Sequence, residues 1–184
     1  MTGFFQKMSV EEYLAWEVTG PIQPEYVGGY AFFTRTLEDL TSAHSLIKGN
    51  LAARLYGAAA LHEARVSNGQ FLLRIGQDFL CPDVMVLPLN APQHEQYGVS
   101  PSLLAEVLSP STTQNDRVGK YAMYTSIPTL QTYLIAEQSE RRVYLHQREG
   151  GDWRLQEVVG EGEIHIPCLG LSLSLDELYE GVTL

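Results

Sequence analysis

Nowhere in these 184 residues does an apolar run approach the roughly 20 residues that a membrane-spanning helix needs, and no transmembrane segment is expected. Met1 to Val10 also lacks the basic-then-apolar pattern of a secretory leader, so the expected location is the cytoplasm. Cysteine is scarce. Cys81 and Cys168 lie far apart, neither sits in a metal-type spacing, and both are predicted to be buried free thiols. The five histidines, His44, His62, His94, His146 and His165, include no pair spaced to share a helix face as zinc ligands, which argues against a zinc site. Basic residues are few as well. Twelve Lys and Arg face 22 Asp and Glu, a formal charge of −10, which repels a polyanion and argues against nonspecific nucleic-acid binding. That balance can be offset locally where carboxylates gather around a divalent cation and bases line one cleft.

With 45% hydrophobic residues, the chain has enough apolar material for one sizeable core, and residues 1–184 are expected to form a single domain. Ser9-Val10-Glu11-Glu12 has the form of a capping box and predicts a short helix over 10–17. Tyr26 to Thr36 reads as strand with a turn or bulge at Gly28-Gly29. From Thr41 to Ala60, Ala43, Ile47, Leu51, Leu55 and Ala58 recur at intervals of three and four, the pattern of one buried helix face. Phe71 to Ile75 and Phe79 to Leu87 predict a hairpin around Gly76-Gln77-Asp78, its second arm interrupted by Pro82; Pro88 to Pro101 reads as a loop. Ser102 to Leu108 is a dense apolar run with one charge, as in a central strand covered on both faces. Ser109-Pro110-Ser111-Thr112 then supplies hydroxyls to cap a helix over 113–126. The strands 132–137, 142–148, 153–159 and 164–166 follow, separated by turns, and a short helix over 174–180 closes the chain.

Chemistry enters at Glu106. An ionised side chain in Leu103-Leu104-Ala105-Glu106-Val107-Leu108 is costly unless it is paired or binds a metal. Asp83, after Pro82, opens a second apolar strand, Val84 to Leu87, so two acids face one cleft if the strands are neighbours. Two carboxylates with a backbone carbonyl between them suit a hard, oxygen-seeking ion such as Mg²⁺, which can activate water for attack on a phosphodiester. Lys120 lies about two turns into the following helix, and its side chain leans back toward the strand end, within reach of that cleft. The competing structural readings are a core bridge from Glu106 to Arg74 or Arg117, and an exposed Asp116–Lys120 pair one turn apart. For Glu25 the competing reading is a solvated strand start, for His44 a half-buried polar residue, and for Tyr121, Tyr124, Tyr133 and Tyr144 core or interface packing.

Pro82-Asp83, Glu106-Val107-Leu108-Ser109-Pro110-Ser111-Thr112 and Asp116-Arg117-x-x-Lys120 together resemble the Uma-type restriction endonuclease family, in the PD-(D/E)xK nuclease superfamily. Ser9 to Trp16, Glu25-Tyr26-Val27, His44 with Asn50-Leu51, Tyr133-Leu134-Ile135 and Leu169 to Leu173 extend the likeness over nearly the whole chain. The resemblance implies an α/β fold with a restriction-endonuclease-like mixed central sheet flanked by helices. It also implies a Mg²⁺ site, with Mn²⁺ able to substitute, held by Asp83, Glu106 and the Val107 backbone carbonyl, with Glu25 as a further candidate ligand. Lys120 stands in for the superfamily lysine, whose usual place two residues after the glutamate is Leu108 here. The chain also departs at Gly28 and Tyr30, where the family pattern would offer acids. The implied function is metal-dependent hydrolysis of DNA phosphodiester bonds through Asp83, Glu106 and Lys120, in a homodimer. The alternatives are a noncatalytic interaction module that keeps the nuclease fold, favoured by the acidic surface, and a hydrolase of small phosphorylated substrates.

Overall fold

A computed structural model describes residues 4–69, 71–108 and 114–184, with the main chain alone at 114–117. In chain order the first half comprises β1 (Phe5–Lys7), α1 (Val10–Ala15), β2 (Glu25–Val27), β3 (Tyr30–Phe32), α2 (Ser42–Leu61), β4 (Ala64–Asn68), β5 (Leu72–Ile75), β6 (Asp78–Leu80) and β7 (Val84–Pro88). The second half comprises β8 (Tyr97–Gly98), β9 (Leu103–Leu108), α3 (Gln114–Thr125), β10 (Thr132–Glu137), β11 (Arg142–Glu149), β12 (Asp152–Val159), β13 (Glu163–Ile166), β14 (Leu171–Ser174) and α4 (Leu175–Leu178). No helix among the described residues is long and apolar enough to cross a membrane.

The main sheet has the order β12-β11-β10-β9-β7-β4. It is mixed: β9 and β10 run parallel, joined through α3, and the other pairings are antiparallel. Because side chains alternate along a strand, Leu103, Ala105 and Val107 of β9 face one way and Leu104 and Leu108 the other. The first face packs under α2 through Ile47, Leu51 and Leu55, and under the β13–β14 hairpin with α4. The second face packs against α3 through Tyr124 and against a smaller sheet, of order β1-β3-β2-β6-β5-β8, through Leu73 and Leu80. Burial on both faces accounts for the apolar composition of β9 apart from Glu106; all six of its residues are buried.

The Ser9 capping box acts as anticipated. Ser9 caps α1 and exchanges bonds with Glu12, at 3.2 Å to the Glu12 backbone and 2.7 Å in return. Thr41 caps α2 by accepting the His44 amide at 3.0 Å. Three expectations are corrected. Gly28-Gly29 is a true hairpin turn with φ of 59° and 88°, so the strand expected over 26–36 is β2 and β3 and ends at Phe32. The arm expected over 79–87 is divided at Pro82, with β6 in the smaller sheet and β7 in the main one. The loop expected over 88–101 contains β8. The proposed Ser109-Pro110-Ser111-Thr112 cap and the Asp116 and Arg117 side chains lie outside the described residues.

Candidate functional site

The site lies where β9, the entry to β7, the N-terminus of α2, the face of α3 and the smaller sheet meet. Glu106 shares the α3-facing side of β9 with Leu104 and Leu108, and Asp83 immediately precedes β7, the neighbour of β9. Lys120 and Tyr124 stand one turn apart on α3, which puts both over Glu106. Glu25 comes from β2, His44 from the first turn of α2, and Arg35 from the irregular chain after β3.

Both acids are buried, and they converge. Arg35 Nη1 donates to Asp83 Oδ1 at 2.6 Å, while its Nη2 donates to Asp83 Oδ2 and to Glu106 Oε2, each at 2.7 Å. One nitrogen therefore stands within 2.7 Å of an oxygen from each acid. Lys120 Nζ lies 3.0 Å from Glu106 Oε1 and 2.8 Å from Glu25 Oε1, and the Tyr124 hydroxyl donates to Glu106 Oε1 at 2.8 Å. The Val107 amide donates to Asp83 Oδ2 at 2.8 Å, which places that edge of β9 against Asp83. His44 Nε2 lies 3.3 Å from Asp83 Oδ1, yet makes no well-directed hydrogen bond.

Burial and charge oppose one another here. Burial pushes the Asp83 carboxyl up, but His44 and the Arg35 guanidinium more than cancel that and hold it well below the usual carboxylate range. Burial pushes Glu106 up, and Lys120 and Arg35 pull it back only in part. Burial also disfavours charge on Lys120, but Glu106 and Glu25 reverse that and raise its pKa above the ordinary lysine value. The Cys81 thiol, on the wall of the same cleft, is pushed up to about 12 by burial and then by the charges of Glu25 and Glu106. Since the thiolate is the reactive form, native protein at about pH 8 is expected to resist iodoacetamide at Cys81 and to become labelled there on unfolding. Peptide mass spectrometry checks this; rapid labelling of the native protein would contradict the assignment.

The Uma2 family, described as "Putative restriction endonuclease", matches residues 10–177. The chain belongs to this family. A Synechocystis protein, slr1290, described as uncharacterized, is 31% identical over 183 residues, which is 97% of this chain and 94% of that one. A second Synechocystis protein, sll1609, is 36% identical over 104 residues, 54% of this chain and 59% of that one. Among solved structures, that of "a putative nuclease belonging to DUF820" from Anabaena variabilis superposes with a TM-score of 0.78. It is 17% identical and covers 96% of this chain and 99% of that chain, which establishes the likeness of fold.

The structure brings together Asp83, Glu106, Lys120 and Glu25 of this Uma2 chain. The competing readings of Glu25 as a solvated strand start and of His44 as a half-buried polar residue do not hold: both are buried, at 2% and 1% exposure. Among the described residues the arginine on Glu106 is Arg35 and not Arg74, which bonds the Gly76 carbonyl and lies over the Phe79 and Tyr97 rings. Tyr124, expected to pack the core, does so and also binds Glu106. As a donor set for a divalent cation the site fits in chemistry, with hard carboxylate oxygens from adjacent strands converging on one point. That point holds the Arg35 guanidinium, and Lys120 lies between Glu25 and Glu106. Accordingly, among the described residues no three acidic, His or Cys side chains stand at metal-holding spacing.

Proposed function

We propose that this Uma2 chain is a metal-dependent endonuclease acting on DNA phosphodiester bonds, with Mg²⁺ as its ion and Mn²⁺ as a substitute. The observation that carries the reading is the convergence of Asp83 Oδ2 and Glu106 Oε2 on a single atom-sized position, with a lysine ammonium on the other oxygen of the glutamate. Asp83 and Glu106 would hold the ion. The Val107 carbonyl supports them as a third oxygen, because a strand residue sends its N–H and C=O to the same edge and the Val107 N–H already faces Asp83. A divalent cation supplies Lewis-acid chemistry to a phosphodiester.

The protein's own groups supply positioning and charge. Lys120 is kept protonated between Glu25 and Glu106, so its ammonium offers a fixed positive charge for the phosphate during attack. Tyr124 fixes the Glu106 carboxylate by donating to Oε1, which leaves Oε2 directed at Asp83's partner position. Glu25 holds Lys120 and is itself oriented by the Cys81 amide, which donates to it at 3.1 Å. His44 bears on Asp83 from the helix side.

Purified protein with Mg²⁺ or Mn²⁺ is expected to nick supercoiled plasmid, and a chelator is expected to stop it. A noncatalytic module is the second reading, favoured by the guanidinium on the acid pair and the formal charge of −10. Calorimetry separates the two: Mn²⁺ heats that saturate in or below the millimolar range support the nuclease, and their absence together with intact plasmid supports the module.

A further inference from the structure

Arg35 holds the place that the nuclease reading requires for a cation. Its Nη2 alone reaches both acids, at 2.7 Å each, and its Nη1 takes the remaining oxygen of Asp83. The acid side chains are 1% and 4% exposed and the arginine side chain 17%, so the arginine is the most exposed of the three. Its backbone belongs to neither strand nor helix, so withdrawing the side chain breaks no ladder bond. A cavity of about 60 Å³ lies beside it, lined in part by Gln23, Thr34, Lys48, Cys81 and Asp83, and gives the side chain a place to move.

A divalent cation held by Asp83 Oδ2 and Glu106 Oε2 would need the position that Arg35 Nη2 fills at 2.7 Å from each, so the ion and the guanidinium exclude one another.

We infer that Arg35 is an internal counter-ion that a divalent cation must displace, and that it thereby sets the metal affinity of the site. The inference rests on the nuclease reading. An ion that binds only when the guanidinium has left has its apparent affinity lowered by the fraction of molecules in the open form. With Arg35 in place in nine molecules of ten or more, that is about tenfold or greater. Displacement is also reciprocal: the ion must drive Arg35 toward solvent as strongly as Arg35 opposes the ion.

The test is calorimetric Mn²⁺ titration of the full chain and of Arg35→Met, with phenylglyoxal labelling of Arg35 in the wild-type protein read by mass spectrometry. Arg35→Met is expected to bind Mn²⁺ about tenfold or more tightly than the wild type. Wild-type Arg35 is expected to be protected without metal and labelled when Mn²⁺ saturates the site. Equal affinities, or labelling unchanged by Mn²⁺ that binds, overturn the displacement and leave the nuclease reading standing. Absence of Mn²⁺ binding by both proteins overturns the two together. Should Arg35→Met fail to fold, the wild-type labelling decides alone.

Discussion

Asp83→Ala is expected to abolish metal-dependent nicking of plasmid DNA. Asp83 is the acid through which most of the site is joined, since both its oxygens accept from Arg35, one also from the Val107 amide, and one faces His44. Without it a cation keeps one carboxylate of the pair, and Lewis-acid stabilisation of several kcal/mol is lost, on the order of 10³-fold in rate. The same change leaves the Val107 amide without its acceptor and removes two of the three Arg35 hydrogen bonds, so some loss of stability accompanies it. Asp83→Asn separates the two effects. It retains an oxygen for the Val107 amide but carries no charge, so it should lose activity as fully while melting closer to the wild type. The measurement is single-turnover nicking on samples shown to be folded by circular dichroism. Undiminished nicking by a folded, highly purified Asp83→Ala protein would assign the activity to a contaminant or to another site.

The parts of this site that local chemistry dictates were legible in the chain. A lone Glu106 inside a six-residue apolar strand had to find a partner, and Lys120, two turns into the next helix and leaning backward, was placed to provide it. His44 also carried a signal: it precedes Ile47, Leu51 and Leu55 at intervals of three, four and four, and so lies on the buried stripe of α2. Tyr124, one turn after Lys120, shares its helix face and could have been read the same way. Arg35 had no such signal. It sits in chain without periodicity, 48 residues from Asp83 and 71 from Glu106, and only the three-dimensional closure of the smaller sheet onto the larger brings it there. The division at Pro82 escaped for a related reason. Alternation identifies strands, but it does not say to which of two sheets a strand belongs. The short strands β1 and β8 bury too little to produce a pattern, whereas β9 and β10, buried throughout or nearly so, announced themselves.

Lys120→Met is expected to be among the most destabilising single changes in this molecule. Its ammonium is shared by Glu25 and Glu106, whose side chains are 2% and 4% exposed, so the variant leaves two buried carboxylates short of a cation. Breaking a buried pair from one side costs about 3–5 kcal/mol, a large part of the roughly 5–15 kcal/mol that holds a typical domain together. For a chain of this size that corresponds to a fall in Tm of roughly 6–20 °C. The pH dependence has a definite sign. In the wild type the lysine pKa is raised by Glu106 and Glu25, so its contribution is full at neutral pH and is lost only as pH rises beyond the ordinary lysine value. In the variant the orphaned acids are relieved by taking up protons, so the gap to wild type should narrow as pH falls through the acidic range. Adding Glu106→Gln should recover part of the loss at neutral pH, because an amide still accepts from Tyr124 without carrying a charge. Thermal melts of the single and double variants across pH provide the check. A Lys120→Met protein as stable as the wild type at neutral pH would mean that the acids are neutralised some other way.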